Sequence, residues 1–369
     1  MPATTRRLLP LIGVIAALLL VPGAASADTS ASRPMWPSIV VDNDNKVHVA
    51  YDNADGNGII YVTNRSGSWV RRKLTNGNDS LPHLTVDAHD RVRIIFTRTF
   101  TDSPRAIYYV TNRTGEWKTK MLPWKAPGST IRTAVSPSGT IHVVFTTDAH
   151  AYYVTNASGS WVRERLDDYY GNQAVLAVDV NGKVHIAYGQ CLNDAEEEAT
   201  CDGEGIWYRT NASGSWTTER ITDLQLDRAT SIVTDGAGKA HVIVERRGMY
   251  QGREEMGIGM YYLTNESGAW VRQTVAKWGR KGVLGVDRTG AVHVVYNQES
   301  ETKRGIYYAT NKTGIWVRST AVAEHAIYPE MGLDSRGVVR LAFMRMAIDP
   351  GVYYAHNARG SWSRLELMD

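Results

Sequence analysis

A short phrase, Asn-x-Ser/Thr-Gly-x-Trp, recurs along this chain at 64–69, 112–117, 156–161, 211–216, 265–270 and 311–316. A seventh copy at 357–362 has Arg359 in place of the Ser/Thr. The asparagines lie 44 to 55 residues apart, and a tyrosine stands three residues before each, from Tyr61 to Tyr354. A near-constant period of this size means one supersecondary unit copied along the chain, each copy burying its apolar face against its neighbours.

A second phrase precedes each copy. It opens on Asp42, Asp87, Ser136, Asp179, Asp235, Asp287 and Asp334, with a glycine three residues later in five units (Gly139, Gly182, Gly238, Gly290 and Gly337). Apolar and polar residues alternate around these turns, the period of a strand. In the first unit the strands fall at 37–41, 46–51, 59–63 and 69–74. Four short strands in each repeat of about 40–50 residues predict a propeller blade. The fold class is therefore all-β: a seven-bladed β-propeller with four antiparallel strands per blade, in one domain over 28–369. The blades fall at 36–80, 81–129, 130–172, 173–227, 228–280, 281–327 and 328–369. The first strand of each unit carries a small or medium residue two before the turn (Val40, Thr85, Ala134, Ala177, Val233, Gly285 and Gly332), as a strand crowded around a central axis requires. That strand is expected innermost. The units run from inner to outer strand, so their phase shows no strand exchange to close the ring.

Ahead of the repeats, Arg6 and Arg7 precede an apolar run over 8–21, and Ala25-Ser26-Ala27 supplies a small-residue cleavage site. This reads as a signal peptide at 1–27 and a secreted, extracellular protein. The apolar run is short for a membrane span and no second one follows, so no stable membrane insertion is expected. In that compartment the two cysteines, Cys191 and Cys201, are expected to form a disulfide. A net charge of +3 with no basic run argues against a nucleic-acid partner. No metal or other cofactor is read, except that Glu196, Glu197 and Glu198 offer oxygens of the kind Ca2+ takes, without EF-hand spacing.

At Tyr-x-Thr-Asn-x-Ser/Thr-Gly-x-Trp the chain resembles the Asp-box (BNR-repeat) β-propellers of the sialidase superfamily. That box, Ser-x-Asp-x-Gly-x-x-Trp, likewise joins the third and fourth strands of a blade; here Asn64 stands near its Asp, and Gly67-Ser68-Trp69 is one residue tighter. The resemblance implies a propeller in an extracellular glycan context, with the box structural and away from any active site. The family's Phe-Arg-Ile-Pro motif is missing, so its catalytic residues are not carried over.

The turns that join the first two and the last two strands are short and uniform. The second-to-third loops and the links between units vary, and unequal loops on a rigid frame are where binding residues concentrate. The site is therefore expected on that second face, near the axis. Aromatics that could stack on sugar rings sit in the links: Trp124, Tyr169, Tyr170, Trp278 and Tyr328. Arg98, Arg246 and Arg345 share one register past the second strand, and Arg132 opens the first strand of unit three. Arginine forks suit carboxylate or sulfate, so an acidic glycan is the expected ligand. His83 and Glu330 share a first-strand register that looks toward the channel mouth. The inserts at 189–205 and 245–259 could wall the cleft.

The first functional expectation is a lectin-like carbohydrate-binding propeller. The second is a polysaccharide lyase or glycoside hydrolase on the same face, with His83 or Tyr328 as base, or Glu330 with Glu245 as carboxylate pair. A third is a protein-binding scaffold in an extracellular assembly. The histidines of the second strand (His48, His142, His185, His241 and His293) occupy one repeated position and read as structural.

Overall fold

The computed structural model describes residues 35–368, apart from 54–56, 88, 102, 126–130, 148–149, 167–169, 192–202, 225, 251–252, 300–303, 324, 347–349, 359 and 364–365. The expected signal peptide, Tyr169, the acidic loop and Cys201 lie outside them; Tyr170 and Cys191 are described by backbone alone.

The chain is a seven-bladed β-propeller. Seven antiparallel sheets each take four consecutive strands in chain order, and no helix occurs among the described residues. In the first blade these are Met35–Val41, Val47–Asp52, Ile59–Thr63 and Val70–Lys73, close to the expected spans. The inner strands are Met35–Val41, Asp79–Val86, Ile131–Val135, Tyr170–Val178, Asp227–Thr234, Gly279–Val286 and Ala326–Leu333. Each touches the next around the axis, and the seventh touches the first. The small inner-strand positions sit at these contacts. A Cβ on Gly285 would come within 2.8 Å of Leu333 Cδ1, and one on Gly332 within 2.9 Å of Val41 Cγ2.

The second strand is buried along both faces, as in Val47–Asp52 and Ile141–Thr146, because blades stack on either side of it. The outer strand is exposed, and in blade one it carries Arg71, Arg72 and Lys73. Charge along a free edge discourages pairing with another chain. The core is shared between blades: Ile39, Val49 and Tyr51 of the first pack with Val352, Tyr354 and Met368 of the last.

The repeated hairpin is closed by its backbone and anchored by its asparagine side chain. Gly159, at φ +86°, donates its N–H to the Asn156 carbonyl at 3.0 Å, a backbone contact that closes the turn. The Asn156 side chain leaves the turn, and its Oδ1 accepts from Ile141 N at 2.8 Å, pinning the hairpin to the start of the second strand. All seven asparagines do this, at 2.7 to 2.8 Å. Trp161 packs on Tyr109 of the preceding blade (ring centroids 6.3 Å apart), while Tyr153 receives Trp216 of the following one at 5.5 Å. The series runs around the ring and ends with Trp69 of blade one on Tyr354 of blade seven, at 5.1 Å. Side-chain packing thus closes the propeller without strand exchange.

The same tyrosines hold the second-strand histidines, with His48 Nδ1 2.6 Å from Tyr61 OH and Nε2 3.0 Å from Asp42 Oδ2. Arg340 makes the equivalent bonds to Tyr354 OH at 3.0 Å and to Asp334 Oδ2 at 2.9 Å. The histidine, tyrosine and aspartate groups are buried links of the scaffold, and Arg340 is half-buried.

Candidate functional site

Six inner strands are irregular near their first residues, with register shifts between Met35 and Ser38, Ser80 and His83, Asn172 and Ala174, Ala229 and Ser231, Arg280 and Val283, and Ile327 and Glu330. Five of these bulges hold a non-glycine residue at positive φ: Trp36, Leu81, Gln173, Lys281 and Tyr328. Such conformations cost about 1–3 kcal/mol each and persist only where the surroundings hold them. Here Lys281 N donates to Glu245 Oε2 at 2.9 Å, and Tyr328 N to Asn297 Oδ1 at 3.2 Å. Bulges re-aim side chains, and these lead into one cavity.

The cavity, of about 260 Å3, lies at the axis where the inter-blade links enter the inner strands, the face expected from loop variability. Every inner strand contributes to its wall, joined by Glu245 and Arg247 from the second strand of blade five. His83, Arg132 and Glu330 sit at one register, opposite Ile95, Val144 and Ala342. Trp36 and Tyr328 form a tilted aromatic pair with centroids 4.3 Å apart. Lys281 Nζ lies 3.3 Å from the centroid of the Tyr328 ring, a cation–π contact.

Four cationic side chains, Arg132, Arg247, Arg280 and Lys281, face two carboxylates, Glu245 and Glu330. Burial pushes His83 down to about 3, with the Arg132 charge acting the same way, so the imidazole is neutral. Burial raises the Glu330 carboxyl while Arg132 opposes the shift. Burial, then the Arg280 charge, lowers the Lys281 amine to about 8, with Glu245 opposing. Glu245 is occupied on both oxygens: Oε2 by Lys281 N, Oε1 by Arg247 Nε at 3.4 Å.

Of the residues singled out in the sequence, the cavity brings together His83, Arg132, Glu245, Tyr328 and Glu330. The other three arginines do not line it. Arg98 is clamped to Asp79 through two bonds of 2.6 and 2.9 Å, and Arg246 to Asp227 through bonds of 2.9 and 3.2 Å. Both forks are committed, and the guanidinium groups lie over Tyr108 and Tyr261. Arg345 lies over Tyr353, 4.9 Å from the ring centroid. Trp124 packs at a blade junction, edge-on to Trp161 at 6.4 Å. Trp278 is exposed, with Lys277 Nζ 5.3 Å from its ring centroid. The insert of blade five continues its hairpin as far as the Tyr250–Arg253 pair.

Trp36, Gln173, Arg280 and Lys281 line the cavity without having been singled out, while Arg247 comes from the 245–259 insert that was expected to wall the cleft. One signal for the bulges was in the sequence: Trp36-Pro37, Leu81-Pro82 and Tyr328-Pro329 repeat at equivalent positions. Among the described residues, no group of three His, Cys, Asp or Glu side chains is arranged to hold a metal, and no helix is long and apolar enough to cross a membrane.

No family model matches the chain. No curated protein matches it either. The fold is shared with solved structures. A PL25 ulvan lyase bound to a GlcA–Rha3S saccharide is 10% identical, with 88% of this chain and 94% of that one covered at a TM-score of 0.61. Polysaccharide lyase Uly1 is 9% identical, with 94% and 92% covered at a TM-score of 0.54. Virginiamycin B lyase from Staphylococcus aureus is 14% identical, with 87% and 94% covered at 0.51.

Proposed function

We propose that this chain is a secreted carbohydrate-binding propeller that takes a carboxylate- or sulfate-bearing sugar in the axial cavity. The observation that carries the reading is the composition of the cavity wall: an aromatic pair beside an excess of cationic groups, fixed by bulged inner strands. Aromatic faces suit the apolar faces of sugars, and guanidinium forks suit carboxylate and sulfate. Two polysaccharide lyases with the same fold, one of them bound to a saccharide, support a carbohydrate role.

The test is a glycan array followed by calorimetry on the full chain and on Arg132→Ala. Acidic glycans are expected to bind, and loss of one charge-assisted contact is expected to weaken them about tenfold or more. Unchanged affinity in Arg132→Ala removes the axial cavity as the site, and an array blank for every glycan favours a protein-binding scaffold.

One observation favours catalysis as a second reading. Lys281, lowered to about 8, lies against Tyr328 on the cavity wall, so an amine near its working range stands beside a phenol. A lyase needs a base with a pKa near the working pH and a cation to neutralise the uronate carboxylate. Ultraviolet absorbance from an unsaturated uronate product, lost in Lys281→Met, identifies a lyase; binding without product identifies the lectin.

A further inference from the structure

A second cavity, of about 160 Å3, adjoins the axial one between blades six and seven, and Arg280, Lys281 and Tyr328 line both. Neither reaches the roughly 300 Å3 at which pockets for drug-sized ligands begin, but the two together do. The second hollow adds Arg304 and His325 to the wall, and no carboxylate lines it among the described residues. The cationic surface therefore continues radially, beyond what a single bound sugar would need.

The ridge between the hollows is a fixed element. The Tyr328 ring is held by Trp36, at 4.3 Å between centroids, and by Lys281 Nζ, 3.3 Å from the Tyr328 centroid and 5.7 Å from that of Trp36. Its backbone is tied to Asn297, which bridges to blade seven by accepting from Tyr328 N at 3.2 Å and donating to Ala326 O at 2.8 Å. An aromatic ridge with a cationic hollow on either side matches a chain of rings that carries its charges on successive units. A free anion or a single acidic sugar would use one hollow and leave the other empty.

From this geometry we infer that the ligand is a polyanionic oligosaccharide that crosses Tyr328. One charged unit sits in the axial cavity facing Arg132, and the next sits between blades six and seven facing Arg304 and His325. The inference rests on the reading of the axial cavity as an acidic-sugar site.

The test uses calorimetry on the full chain with two size series, oligogalacturonates and sulfated galactan oligosaccharides, each from monosaccharide to hexasaccharide. The wild type is expected to bind the longer members about tenfold more tightly than the monosaccharide, the worth of one added charge-assisted contact. Arg304 is exposed, so Arg304→Ala is expected to fold normally, bind the monosaccharide as the wild type does, and lose the gain with length. Arg132→Ala is expected to weaken every member of the series. Affinity independent of length in the wild type, or a gain with length that survives Arg304→Ala, overturns the second subsite and leaves the axial reading standing. Failure of both series to bind at any length overturns both.

Discussion

Asn156 holds the blade-three hairpin to its second strand by one hydrogen bond, 2.8 Å from Oδ1 to Ile141 N. Ile141 is buried, so its N–H has little access to water if the acceptor is removed. Asn156→Ala is expected to cost about 1–3 kcal/mol, the penalty for a buried donor left without a partner. Asn156→Asp keeps the acceptor and is expected to retain most of the stability. Guanidinium unfolding of the two variants decides it; an alanine variant within about 0.5 kcal/mol of wild type, the range of ordinary surface substitutions, means the bond contributes nothing. At this scale some of the candidate site was legible. His83, Arg132 and Glu330 share a register because strand periodicity survives in the sequence, and the cavity collects them. The shared register of Arg98 and Arg246 is equally real, but it reports a different function. Asp79 and Asp227 sit at the entry to their inner strands, each eight residues before its unit's turn aspartate (Asp87 and Asp235), so the repeat aligns them with each other; that they clamp those arginines shows only once the first two strands are paired.

The turn between the first two strands of a blade shows what a broken repeat does to one element. In blade one, Asp42 Oδ1 accepts from Asp44 N at 3.0 Å and Lys46 N at 2.7 Å, while Oδ2 meets His48 Nε2 at 3.0 Å. In blade three Ser136 occupies that place; its Oγ accepts from Thr140 N at 3.1 Å and does not reach the histidine. His142 Nε2 is buried with no hydrogen-bond partner, and beside it lies a cavity lined by Ser136 and His142. Ser136→Asp has room for the carboxylate and supplies the missing acceptor. It is expected to stabilise the protein by about 1 kcal/mol, the worth of one restored hydrogen bond, measured as a higher unfolding midpoint with an unchanged denaturant slope. A midpoint at or below wild type means the turn in blade three has settled on a different arrangement. The inner strands show the converse limit on reading elements from sequence. Four strands per unit were legible because alternation and turn chemistry repeat. A bulge adds one residue and shifts the alternation by one, so Gln173 and Lys281 left no periodic trace although they line the cavity, and Trp36 was marked only by the proline that follows it.

Across the whole molecule, the Trp-on-Tyr contacts between blades and the His–Tyr bonds within them share their tyrosines: Tyr153 takes Trp216 on its ring and His142 on its hydroxyl. Protonation of the buried histidines therefore bears on the assembled ring as well as on single blades. Burial lowers all five second-strand histidines, outweighing the nearby aspartate at His48, His185, His241 and His293. His142, which has no such carboxylate, falls to about 4. The unfolded chain takes up these protons first as the pH drops, because its histidines titrate near 6.5. Their contribution is thus fully present above pH 6.5 and is lost as the pH falls toward the folded value, about 4 for His142. At about 1.4 kcal/mol per pH unit, His142 alone contributes on the order of 3 kcal/mol across that window. Asp52 acts in the opposite sense. Burial raises it to about 7, so its contribution is complete below the unfolded value of 3.8 and is lost as the pH rises through 7. Glu330 is raised in the same way as Asp52 and His83 is lowered like the other five, so two carboxyls stand against six imidazoles and a net loss on acidification remains. Guanidinium unfolding at a series of pH values is expected to show stability falling steadily from pH 6.5 to about 4, the window set by His142. The fall is expected to be shallower in Ser136→Asp, where the new carboxylate raises the pKa of His142. Stability that is flat or rises toward acid overturns the account, because it requires the histidines to be protonated in the folded propeller.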